Sequence, residues 1–191
     1  MSASSLSRRE FVHAVPLAVL LTPSFAGGQE TQALPHEQDQ RVGFLGEFTE
    51  AEARLVASSP MAQEIAGLQE QGYPCSEMIL LAALRHMELP EKHLDAAAVF
   101  GGGVGKRDLC GFLTGGLMAI GFAAGERYPD RTEMHRVARE LSNAYWDWWV
   151  SRGDLHCMGP GTAHETSVEF VRMAQRTAVK VEQLLGPLRS G

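Results

Sequence analysis

Residues 109–124 (LCGFLTGGLMAIGFAA) contain no charged side chain, and such a stretch leaves a chain few choices. It must lie inside a bundle or cross a membrane. A spanning helix needs about 20 apolar residues, and this run has 16, with Thr114 and several glycines inside it. Gly111, Gly115 and Ala119 recur every fourth residue. On a helix they share a face, smooth enough for a neighbouring helix to come close. The expected element is therefore the buried central helix of a bundle. A chain of 191 residues, 45% of them hydrophobic, suffices for a single domain with a real core.

The flanking sequence supplies the other helices. Thr49 and Glu52 form a capping-box pair, in which each side chain satisfies a backbone N–H of the first turn. Ser59-Pro60 restarts the helix, because serine caps and proline fits the first turn. Gly72 ends that second helix near Glu70. A third follows Pro74, running from Cys75 to about Met87 and stopping ahead of Pro90. Residues 91–99 suit a short helix, Asp108 a cap for the uncharged segment, and Asp130 with Glu133 the start of a helix to about Val150. The last helix is expected to open at Thr162 or His164 and to stop at Gly186-Pro187. No alternating strand pattern competes with these signals. The expectation is an all-α fold, a compact bundle of five to six helices with a glycine-rich turn before the buried central helix, over residues 49–188. Residues 27–48 read as a flexible lead-in.

The N-terminus has the three-part form of an export signal. Ser7-Arg8-Arg9-Glu10-Phe11-Val12 is a twin-arginine pattern, residues 14–21 are apolar, and Ser24-Phe25-Ala26 suits cleavage after Ala26. About eight apolar residues are too few to span the ~30 Å hydrocarbon core. The expectation is a signal peptide over residues 1–26, passage through the twin-arginine translocase, and a periplasmic protein without stable membrane insertion. That route carries folded proteins, so it suits one that loads a cofactor before export. A net charge of −6 and the lack of a Lys/Arg cluster in the rest of the chain exclude a nucleic-acid surface.

Three cysteines, Cys75, Cys110 and Cys157, are the residues best suited to chemistry. None forms a CxxC pair, which removes the zinc-ribbon reading. Each lies at or near an expected helix start, where aligned backbone dipoles stabilise thiolates. Three such thiols could converge on an iron–sulfur cluster or a soft ion such as copper or zinc. They could equally be small buried hydrophobes. In an oxidising compartment, three cysteines suggest one disulfide plus a reactive thiol, or a metal that protects all three.

Among the histidines, His156 adjoins Cys157 and His164 follows shortly, so either could serve as a fourth ligand. His86, eleven residues after Cys75, is about 16 Å away along a helix. Gly101, Gly102, Gly103 and Gly105, followed by Lys106 and Arg107, fail as a phosphate loop. Phe100 replaces the first glycine of that motif and Arg107 its Ser/Thr. The backbone N–H groups of the glycines could still cradle an anion or the sulfurs of a cluster; the plainer reading is a turn between packed helices. Trp146, Trp148 and Trp149 fall on one helix, where they either pack the core or shield a site.

Gly72-Tyr73-Pro74-Cys75-Ser76, the run from Ala97 to Gly105, and Cys110-Gly111-Phe112-Leu113-Thr114-Gly115-Gly116 together resemble the C-GCAxxG-C-C family, described as redox-active. The resemblance covers about residues 58–185. It implies that Cys75, Cys110 and Cys157 correspond to the first three of four family cysteines. The fourth is expected near Ser167, and Phe112 replaces the family's alanine.

The leading expectation is an exported redox protein whose Cys75, Cys110 and Cys157, with His156, bind an iron–sulfur cluster or soft metal and exchange electrons with a partner protein. The alternatives are a metal-free thiol–disulfide protein and a non-catalytic helical subunit of an exported complex. No GxSxG, HExxH or paired-carboxylate pattern supports a hydrolase.

Overall fold

The computed structural model describes residues 43–157 and 167–189. The expected signal peptide, its cleavage point and the helix start at Thr162 or His164 lie outside the described residues. Six α-helices follow in order: α1 Glu50–Ser58, α2 Pro60–Glu70, α3 Cys75–His86, α4 Gly111–Arg127, α5 Arg131–Val150 and α6 Val168–Arg189. A 3-10 helix covers Glu91–Ala97, where an undifferentiated short helix was expected. Among the described residues there is no strand, only one antiparallel bridge pair, Leu109 with His156. The chain is all-α.

Local chemistry sets most of the helix starts. Thr49 and Glu52 form the full capping box of α1. The Ser59 hydroxyl accepts from the Ala62 N–H and donates to the Glu182 carboxylate at 2.7 Å, which ties the start of α2 to α6. Asp130 caps α5 by accepting from the Glu133 N–H at 2.8 Å. Two expectations are corrected. Asp108 does not cap α4; Cys110 holds the N-cap position, and its own N–H donates to the Leu155 carbonyl at 2.8 Å. The last helix runs through Pro187 to Arg189. Gly186 has no Cβ to meet the proline ring, and the buried Leu188 anchors the final turn.

The uncharged segment is the central helix. α4 packs on α3, α5 and α6, and its first six residues are all buried. No helix of the described residues is long and apolar enough to cross a membrane. The glycines permit two close crossings. A methyl on Gly115 would overlap the Ser76 carbonyl oxygen of α3, and one on Gly116 would lie 2.5 Å from the Tyr145 ring of α5.

The described part of the lead-in packs against the bundle. Phe44 is fully buried, with its ring centroid 4.5 Å from that of Trp149. Arg176 of α6, also buried, donates to the carbonyls of Phe44, Gly46 and Glu47 and to the Glu52 carboxylate.

Candidate functional site

Three backbone features bring the cysteines into one neighbourhood. Cys75 is the first residue of α3, directly after Pro74. Its sulfur lies against Gly111: a methyl there would overlap the Cys75 Sγ and stand 3.0 Å from the Ser76 N–H nitrogen. Cys110 adjoins Gly111 as the N-cap of α4. Cys157 is brought in by the Leu109–His156 bridge, and its N–H donates to the Asp108 carbonyl at 2.7 Å.

The glycine-rich turn shapes the remaining wall. Gly102, Gly103, Val104 and Gly105 are consecutive left-handed residues, with φ of 59°, 61°, 57° and 64°. Gly103 is needed there for two reasons. Its φ is positive, and a Cβ would stand 2.7 Å from the Cys157 Cβ and 2.6 Å from the backbone of Asp108. Gly101 packs against Pro74, where a Cβ would come within 2.7 Å of the proline Cβ. Gly102 and Gly105 face open space.

Burial dominates the electrostatics. It pushes the Cys110 thiol up to about 12, and the neighbouring Cys75, then Cys157, add to the rise by disfavouring a second negative charge. The backbone N–H groups of Phe112 and Leu113 pull the other way and are outweighed. Cys110 is therefore a neutral thiol at physiological pH. Tyr145 lies beside it, fully buried, with its hydroxyl donating to the Phe112 carbonyl at 2.9 Å. Burial, with Cys110 a second cause, raises that phenol well above its ordinary value.

His156 stands apart from this arrangement. Its Nδ1 is 2.9 Å from the Asp154 carboxylate and its Nε2 is 3.8 Å from that of Asp108, on an exposed side chain. His86 is near Arg189, and His164 lies outside the described residues. Among the described residues no three His, Cys, Asp or Glu side chains stand ready to hold a metal ion. The tryptophans divide: Trp149 is buried in the core and Trp146 is exposed, while Trp148 stacks on Tyr145 at 5.9 Å. Sequence reasoning missed Tyr145 as a neighbour of Cys110. It also missed the bridge that delivers Cys157, since neither has a local signature.

The family model described as "Putative redox-active protein (C_GCAxxG_C_C)" matches residues 73–176. That span covers more than half of the chain. The chain belongs to the C_GCAxxG_C_C family. No curated protein and no solved structure matches it. The C_GCAxxG_C_C match holds all three cysteines and the glycine-rich turn, so the residues gathered at the site are those that define the family resemblance. Ser167, where the resemblance implies a fourth cysteine, takes a structural part: its Oγ accepts from the Phe170 N–H at 3.2 Å in the first turn of α6.

Proposed function

We propose that the protein is a thiol-based redox protein in which Cys75 and Cys110 cycle between dithiol and disulfide, with Cys157 as the third member of the cluster. The observation that carries this reading is the seating of the Cys75 sulfur on Gly111, the residue next to Cys110. In keeping with it, Cys75 influences the Cys110 thiol more than Cys157 does. Oxidation removes two protons and two electrons from the pair and forms one S–S bond; reduction reverses each change. The electrons pass to or from a partner protein or a small disulfide. Cys110, neutral and buried, closes the disulfide slowly.

A second reading places a soft metal ion or an iron–sulfur cluster at the same cysteines, and one observation favours it. Both Cys75 and Cys157 act on the buried Cys110 thiol, and thiolate donors suit iron–sulfur clusters, copper and zinc. An iron–sulfur cluster or copper would supply one-electron chemistry there, whereas zinc, which has no redox change, would only hold the thiolates. Against it, His156 is turned to two carboxylates and no three ligands stand ready among the described residues, so loading would require their side chains to move.

Export fits either reading. The Arg8-Arg9 pattern supports passage through the twin-arginine translocase to the periplasm.

Counting thiols in the full chain before and after reduction, together with metal and acid-labile sulfide analysis of protein purified without oxygen, decides the matter. Loss of two titratable thiols on oxidation, with Cys75 and Cys110 linked in the peptide map, is the expected result. Stoichiometric iron, copper or zinc that disappears in Cys110→Ser would replace it with the second reading.

A further inference from the structure

Beside the cysteine cluster lies an open cavity of about 750 Å³, within the range of small-molecule sites. Cys75 lines it. Only 3% of that residue is accessible, so it is open to a small molecule that fits the cavity and closed to a bulky protein surface. Tyr73, Pro74, Ala98 and Phe170 give the cavity apolar and aromatic walls, and the backbone of Gly101 and Gly102 closes another side. Among the described residues, Glu70 is the one charged side chain that lines the cavity, and none of its lining is lysine or arginine. An anion would meet a carboxylate with no cationic lining residue among those described, in a chain whose net charge is −6. A neutral or cationic molecule meets no such opposition.

We propose that this cavity binds small neutral or cationic disulfides and presents them to Cys75. The proposal rests on the dithiol reading above and adds to it the substrate class and the cysteine attacked first. The chemistry balances in two exchanges. Cys75 gives up its proton to solvent, and its thiolate attacks one sulfur of the disulfide, whose S–S bond breaks. The leaving thiolate takes up a proton, and a Cys75 mixed disulfide remains. Cys110 then attacks the Cys75 sulfur and expels the second small thiol. In sum, two protein thiols are oxidised to one disulfide and one small disulfide is reduced to two thiols.

Three disulfides of nearly equal size separate charge from shape: cystamine, bis(2-hydroxyethyl) disulfide and 3,3′-dithiodipropionate. Each is mixed with the reduced, chelator-treated full chain. Each rate is divided by that of the same reagent with the chain unfolded in denaturant, which removes intrinsic reactivity. The expected result is a first adduct on Cys75 in the peptide map, with normalised rates for the cationic and neutral reagents about tenfold or more above the anionic one. Glu70→Lys should reverse the order of the two ions and leave the neutral reagent unchanged. Ala98→Trp, at an exposed lining position, should slow all three. A first adduct on Cys157 with Cys75 untouched would overturn the proposal, as would normalised rates indifferent to both charge and Ala98→Trp. A Cys75 adduct with the expected charge order that never closes onto Cys110 supports the cavity and sinks the dithiol reading instead.

Discussion

At Gly111 two effects of a single methyl oppose each other. Alanine favours a helix over glycine by about 1 kcal/mol, yet here its methyl would overlap the Cys75 sulfur and stand 3.2 Å from the Phe100 carbonyl oxygen. The neighbours are the backbone of α3 and a short buried side chain, neither free to swing away. Overpacking of this kind costs typically 1–3 kcal/mol, so steric conflict wins. Gly111→Ala should lower the denaturant midpoint and reduce the yield of the Cys75–Cys110 disulfide under a fixed oxidant. An unchanged yield would show that the two sulfurs do not depend on this contact. Cys110 adds a pH dependence of its own. With its thiol pushed up to about 12, the thiolate fraction rises about tenfold per pH unit through the neutral and mildly alkaline range. The closing step of disulfide formation should rise in proportion. Stopped-flow measurement between pH 7 and 10 checks this, and a plateau near pH 8 would contradict it. The same shift bears on stability. Below the ordinary thiol value of 9.0 both folded and unfolded chains hold the proton. As pH rises from there towards 12 the unfolded chain ionises first, and folding loses ground.

Among the elements, the turn before α4 combines strain with close packing. Val104 is β-branched and left-handed, at φ 57°. That conformation costs an L-residue roughly 1–2 kcal/mol, and the side chain is 42% exposed, so packing returns little. Glycine would relieve the clash and give back about 0.5–1 kcal/mol of that in chain entropy. Val104→Gly should therefore stabilise the domain by up to roughly 1 kcal/mol in chemical denaturation. A loss of stability would mean that the valine side chain holds the turn. What the sequence revealed and what it hid divide along the same line. The caps of α1, α2 and α5 involve residues within four positions of each other, so pattern alone locates them. Asp108 has the right side chain for a cap, but its backbone is committed to Cys157 and that of Cys110 to Leu155, about fifty positions away in the chain. The site follows this rule. Cys75 and Cys110 at helix starts are legible as candidates, whereas the bridge that delivers Cys157, the carboxylates that hold His156 and the phenol beside Cys110 appear only once the chain has folded.

For the whole molecule, Arg176 joins the lead-in, α1 and α6 through one guanidinium. The fork contacts Glu52 at 3.0 and 3.2 Å and three carbonyls of the lead-in. Arg152 reaches the same carboxylate from just beyond α5 at 3.1 Å. Burial by itself would raise the Glu52 carboxyl. The Arg176 hydrogen bond and charge, the Thr49 N–H and Arg152 outweigh it and bring the group down to about 2 from its ordinary 4.5. A lowered carboxylate contributes stability that is fully present above pH 4.5 and is lost as pH falls towards 2. The protein should accordingly weaken through that window, and Glu52→Gln should remove this part of the acid dependence. Arg176→Met is the sharper test. It leaves Glu52 and the lead-in carbonyls without their shared donor, a loss that for a buried pair runs to about 3–5 kcal/mol. It should also flatten the stability profile between pH 4.5 and 2. Thermal melts across that range distinguish two outcomes. A large, pH-independent loss in Arg176→Met, with wild-type acid sensitivity retained, would mean that Arg176 works mainly through the carbonyls of the lead-in. Loss of both stability and acid sensitivity would identify the Glu52 pair as the bond that holds α1 and the lead-in to α6.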